Sequence, residues 1–132
     1  MKTVIELAKE LGEGIKNDAV LLAYDEAKAA FEADAELTEK MNEYNADRNC
    51  LAEEFNKDLA MQNKDVIESL KARMDELARS INGNENYTRF AAAQQAVNDL
   101  MKRINETISF FAFGVQPSSG CTHDCSTCGG CH

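Results

Sequence analysis

Four of the chain's five cysteines fall close together near its end, at Cys121, Cys125, Cys128 and Cys131, with His123 and His132 among them. The spacing is C-x3-C-x2-C-x2-C. Thiolates are soft ligands that select zinc, copper(I) or iron–sulfur clusters, and gaps of two or three residues let successive sulfurs turn toward one centre. The intervening Ser, Thr and Gly residues accept the tight turns that such wrapping requires. Metal or cluster chemistry is therefore the first expectation.

Several readings compete for this motif. Cys121-x3-Cys125-x2-Cys128 has the spacing of a radical-SAM signature, but that chemistry needs a large α/β barrel and only helical sequence precedes it here. A structural zinc site would use four thiolates or a thiolate–imidazole mixture, though such sites usually join two knuckles across a longer loop than this one. A [4Fe–4S] cluster suits closely spaced cysteines that each ligate one iron. The bland alternative is a thiol-rich tail that takes up metal adventitiously. On spacing alone, iron–sulfur stands ahead of zinc, and His123 and His132 are secondary ligand candidates.

The elements that must carry this tail read as all-α. One proline, no tryptophan and many Ala, Glu, Lys and Leu residues favour helices in a chain of 132 residues, long enough to bury a core of ordinary size. The net charge is −9, and only Asp124 is charged after Phe113, which leaves −8 on the helical part. So acidic a surface repels phosphate backbones and argues against direct nucleic-acid binding. No apolar run is long enough for a membrane span, and Val4–Leu11 is too short and too charged for a signal peptide. With an odd cysteine count clustered in one tail, a cytoplasmic location is expected.

Along the chain, Val4, Leu7, Ala8, Leu11 and Ile15 predict a first amphipathic helix opened by Thr3 and weakened by Gly12 and Gly14. A second begins near Ala19, with Leu21, Leu22, Tyr24, Ala27 and Phe31 toward its buried side, and Asp34 is placed to cap a third. Leu37, Met41, Tyr44, Arg48, Leu51, Phe55 and Leu59 follow a coiled-coil alternation, with the Arg48 guanidinium snorkelling outward. Cys50 lies beside this stripe, as a small half-buried side chain and not a ligand. Gln62-Asn63-Lys64-Asp65 makes a turn with Asp65 as N-cap, and Val66, Leu70, Met74, Leu77 and Ile81 predict the antiparallel return helix. Gly83 is expected as a left-handed C′ residue. Phe90, Gln94, Val97, Met101, Ile104, Ile108 and Phe111 carry a last helix to Phe113, widened by Tyr87, Ala91, Ala93 and Leu100. Its apolar end, Ile108–Phe113, reads as a subunit interface. The expected organisation is an antiparallel bundle of about five helices over residues 1–113 and a flexible cysteine-rich tail over 114–132, begun by Gly114 and Pro117.

Two stretches carry a resemblance. Tyr24-Asp-Glu-Ala-Lys-Ala-Ala-Phe-Glu-Ala-Asp34 resembles the second-helix signature of the YlbF/YmcA family of small bacterial helical proteins. Asn84-Glu-Asn-Tyr-Thr-Arg-Phe-Ala-Ala-Ala-Gln94, continuing to Ile104-Asn-Glu-Thr-Ile108, resembles that family's final-helix signature. The resemblance covers about residues 3–113, and the cysteine tail resembles that of the branch acting with RNase Y and a partner called YaaT. It implies a non-enzymatic adaptor affecting competence, sporulation and biofilm formation. The adaptor would pair with itself or a paralogous subunit, and Cys121, Cys125, Cys128 and Cys131 would hold a [4Fe–4S] cluster that could be shared between chains. The residues themselves agree on the absence of catalysis. There is no Ser–His–Asp set and no phosphate loop, and no histidine precedes the tail. The rival reading is a helical oligomer whose tail stores or senses zinc.

Overall fold

In the computed structural model, which describes residues 1–115, the chain forms an all-α bundle of five helices. These are α1 (Val4–Lys16), α2 (Ala19–Ala33), α3 (Ala35–Phe55), α4 (Lys64–Asn82) and α5 (Glu85–Phe113), with a single 3₁₀ turn at Leu59–Met61. A first compact unit spans Met1–Val97 and a second begins at Asn98, part-way along α5.

Short polar side chains set the helix boundaries. Thr3 caps α1 in a capping box with Glu6, and the helix continues through Gly12 and Gly14 to Lys16. Asp18 caps α2 by accepting from the Val20 amide at 2.9 Å. Asp34 alone separates α2 from α3 and caps α3 through the Leu37 amide at 3.0 Å. The cap of α4 is Asn63, not Asp65, because the Asn63 carboxamide oxygen accepts from the Asp65 and Val66 amides and draws Asp65 into the first turn. Gly83 ends α4 with φ −84°, so the left-handed geometry expected there is absent. Its amide instead continues the right-handed turn back to the Arg79 carbonyl at 3.0 Å. The left-handed residue is Gly114, at φ 69°, which closes α5 with its amide on the Phe110 carbonyl.

α3 and α4 pack as the antiparallel hairpin that the apolar stripes predict. Lys40 Nζ donates to Ser80 Oγ at 2.7 Å, Arg73 Nε lies 3.1 Å from Asp47 Oδ2, and the Asn63 amide donates to Glu54 Oε1 at 2.6 Å. These pairs locate the seam of α3 on one side of the expected stripe. Leu37, Tyr44 and Leu51 face inward as predicted, but Asp47 and Glu54, each 6% exposed, take the places expected for Arg48 and Phe55. Both carry carboxylates whose donors lie on α4 or in the turn before it, so ion pairing overrides the apolar pattern at these positions. Arg48, Phe55 and Cys50 are exposed, and Leu59 sits in the 3₁₀ turn at 86% exposure. Cys50 is thus not the half-buried residue expected.

The core is thin. Among the described residues the buried apolar side chains are Ala27, Leu37 and Ile81, and α1 has none. A chain of this length was expected to bury an ordinary core, and the described residues bury a smaller one. The apolar faces on α1 and near Phe113 remain open to solvent.

Two carboxyls titrate lower in the folded chain than usual. The Asn86 carboxamide, the Leu37 amide and the Asn84 carboxamide hold Asp34 down, and Lys57 and the Asn63 amide do so for Glu54. In the unfolded chain these groups titrate near about 3.9 and 4.3. On acidification the unfolded state therefore takes up protons first, so the stability they contribute is complete above that range and is lost as pH falls through the lowered folded values. Urea denaturation should show constant stability from neutrality to about pH 5 and a fall below about pH 4. In Asp34→Asn the acid limb should be shallower; an unchanged limb would exclude Asp34 as a source.

Candidate functional site

Cys121, Cys125, Cys128 and Cys131, with His123 and His132, lie outside the described residues. Within the described part, no three His, Cys, Asp or Glu side chains come together as a metal site, and the one cysteine, Cys50, is exposed. No helix among the described residues is long and apolar enough to cross a membrane.

The most connected polar group of the helical body is Asp34. One carboxylate oxygen caps α3, and the other accepts from Asn84 Nδ2 at 3.0 Å and Asn86 Nδ2 at 2.9 Å. Asn84 simultaneously caps α5, its oxygen accepting from the Asn86 and Tyr87 amides. One carboxylate thereby ties the α2–α3 joint to the α4–α5 joint. Above this knot Phe90 packs against Phe31, ring centroids 4.8 Å apart, and against Tyr24 at 5.6 Å, while Arg89 lies 3.5 Å from Glu26. Sequence reasoning found the Asp34 cap but missed its second role, because the partners lie fifty positions away.

Beyond Asn98, the last turns of α5 display Ile108, Phe110, Phe111 and Phe113 to solvent, with Phe111 81% exposed, and Val115 just past the helix is exposed too. Phe110 and Phe111 meet edge to face at 5.2 Å. Their exposure matches what the apolar run Ile108–Phe113 predicts. A second exposed apolar face runs along α1 through Val4, Leu7 and Leu11.

A cleft of about 310 Å³ opens within the first unit, between the N-terminal half of α3, the end of α4 and the start of α5. Ile81 at its base is buried and Met41 and Ala78 are half-buried. Tyr44 and Tyr87, also half-buried, and the exposed Asn45 and Asn82 complete the lining. The signal for this cleft was weak in the sequence, since Tyr44 and Ile81 read simply as seam positions.

No curated protein and no solved structure matches the chain. The family model described as control of competence regulator ComK, YlbF/YmcA, matches residues 4–110. That span contains both signature stretches, and the structure gives them a shared physical role. Tyr24, Glu26, Phe31 and Asp34 of the first are the partners of Phe90, Arg89, Asn84 and Asn86 of the second. The match stops before the four C-terminal cysteines and covers most of the helical body, so the chain belongs to the YlbF/YmcA family of competence regulators.

Proposed function

We propose that the protein is a non-enzymatic adaptor of a complex modulating RNase Y-dependent messenger-RNA processing, and through it competence, sporulation and biofilm formation. Its partners would be a second copy or a paralogous subunit, a YaaT-like protein and RNase Y. The observation that carries this reading is the family match over 4–110, in a body that has no histidine and whose signature residues are occupied with packing. An adaptor needs surfaces, and the open apolar faces on α1 and at the end of α5 supply them.

The cysteine set fits a [4Fe–4S] cluster by donor chemistry, since Cys121, Cys125, Cys128 and Cys131 provide one thiolate for each iron. When bound, such a cluster supplies an oxygen-sensitive redox centre. Anaerobic purification of the full chain is expected to yield brown protein with iron and acid-labile sulfide, in a fraction that retains RNase Y. Colourless protein with stoichiometric zinc would overturn the cluster, and loss of RNase Y from the complex would overturn the adaptor role.

The exposed end of α5 leads to a prediction about assembly. Light scattering at micromolar concentration is expected to give a mass above the 14.6 kDa of one chain. Ile108→Asp should lower it, because a carboxylate at a closed apolar interface costs several kcal/mol when unpaired (roughly 2–7 for a buried polar group). Ile108 is half exposed in the single chain, so the variant should keep its helical circular dichroism. A native mass of one chain would count against the interface.

A further inference from the structure

We propose that the cleft between α3, α4 and the start of α5 is a docking site for an extended peptide segment of a partner protein, which inserts one apolar side chain and carries basic flanking residues. The inference rests on the adaptor reading and gives it a place on the surface.

Three observations carry it. The first is the lining chemistry. Apart from the two tyrosine hydroxyls, no lining residue is ionisable, in a chain whose net charge is −9. Depletion of charge with enrichment in Tyr and Met is the composition of protein-interface centres. The second is the supply of accessible polar groups. Among the described residues, the side chains of Tyr44, Asn45, Asn82 and Tyr87 are not committed to hydrogen bonds with other side chains or with the backbone, and Asn45 and Asn82 are exposed. Each carboxamide offers both donors and an acceptor, which is the complement of a peptide group presenting C=O and N–H. The third is size. A volume near 310 Å³ over the buried Ile81 lies at the small end of ligand cavities, enough for one aliphatic or aromatic anchor and its adjoining backbone.

Charge complementarity specifies the flanks. Residues 1–113 carry −8, so a partner segment with Lys or Arg beside its anchor is drawn in and an acidic one is repelled. The net charge of the chain thus favours basic over acidic segments that the uncharged cleft alone would accept equally.

The test uses the purified full chain and two defined probes. N-acetyl-leucinamide, a peptide unit with one apolar anchor, is expected to bind with a dissociation constant on the order of 1 mM. Binding should shift the NMR signals of Tyr44, Ile81 and Tyr87. Acetyl-Lys-Leu-Lys-amide should bind about tenfold more tightly than acetyl-Glu-Leu-Glu-amide at low ionic strength, and the margin should shrink with added salt. Ala78→Phe should abolish both effects by filling the cleft. Should that variant misfold, Asn45→Ala with Asn82→Ala, at exposed positions, should still raise the dissociation constant about tenfold. Absence of shifts at those three residues, equal affinity for the two charged peptides, or binding unaffected by the asparagine changes would overturn the proposal. These readouts use neither iron nor RNase Y, so their failure is distinguishable from failure of the adaptor reading.

Discussion

Leu37→Ala is expected to lower unfolding stability by about 3 kcal/mol, within the roughly 2–5 kcal/mol range for truncating a buried leucine. Leu37 is 1% exposed and is the largest fully buried side chain of the described residues. It sits in the first turn of α3, three residues after Asp34, whose carboxylate accepts its amide hydrogen. Apolar burial and the knot between the two helix joints therefore meet at one residue. With few buried neighbours to share the loss, the melting temperature should fall by roughly 12–24 °C, at about 4–8 °C per kcal/mol for a body of this size. Leu22→Ala, at an exposed position on α2, should stay within about 0.5 kcal/mol of the parent. If both variants melted alike, burial of Leu37 would not be what secures the start of α3, and the Asp34 hydrogen bonds would have to carry it alone.

Helix positions were legible because their determinants are local. Thr3, Asp18 and Asp34 act on amides two or three residues ahead, a distance that a sequence window contains. The hairpin was legible from two stripes of matching period. What escaped was long-range pairing. The seam of α3 turns toward Lys40, Asp47 and Glu54, polar residues whose partners Ser80, Arg73 and Asn63 become neighbours only when α4 returns. An apolar count assigns such positions to solvent and takes Arg48 and Phe55 instead. The choice between Asn63 and Asp65 as a cap failed for a related reason. Both are good caps, and the buried Glu54 carboxylate that accepts from the Asn63 backbone amide favours the earlier one. The thinness of the core escaped too, because composition counts apolar residues without saying which of them a single chain covers.

The same contrast explains why the family signatures look unspecific as sequence. They consist mainly of alanine, aromatic and acidic positions at helical spacing. In the fold they are two halves of one contact, with Phe90 received between Tyr24 and Phe31 and Asp34 received by Asn84 and Asn86. Ala27, within the first signature, is 1% exposed. What the signatures specify is a scaffold geometry, and the proposed cluster chemistry would fall to the cysteines that follow α5 in the sequence.

For that chemistry, Cys125→Ser or Cys128→Ser is expected to abolish the visible iron–sulfur absorbance of anaerobically prepared protein, whereas Cys50→Ser leaves it unchanged. Cys50 is exposed on α3 and belongs to no group of three or more His, Cys, Asp or Glu side chains among the described residues, and the four remaining thiols occur in a single short stretch. Thiols ligate as thiolates, so loading should release protons, and the proton yield should drop with each cysteine removed. Air should bleach the absorbance and leave thiols open to oxidation toward sulfenic acid or disulfide, which gives the regulator a route to sense oxidants. Truncation after Phe113 tests whether the helical body folds without the C-terminal cysteines. The caps, the hairpin and the Asp34 knot all lie before Gly114, so the truncated chain should keep its circular dichroism and melting temperature while losing all bound iron. If Cys50→Ser removed the chromophore while Cys128→Ser spared it, the cluster would not belong to the C-terminal cysteines.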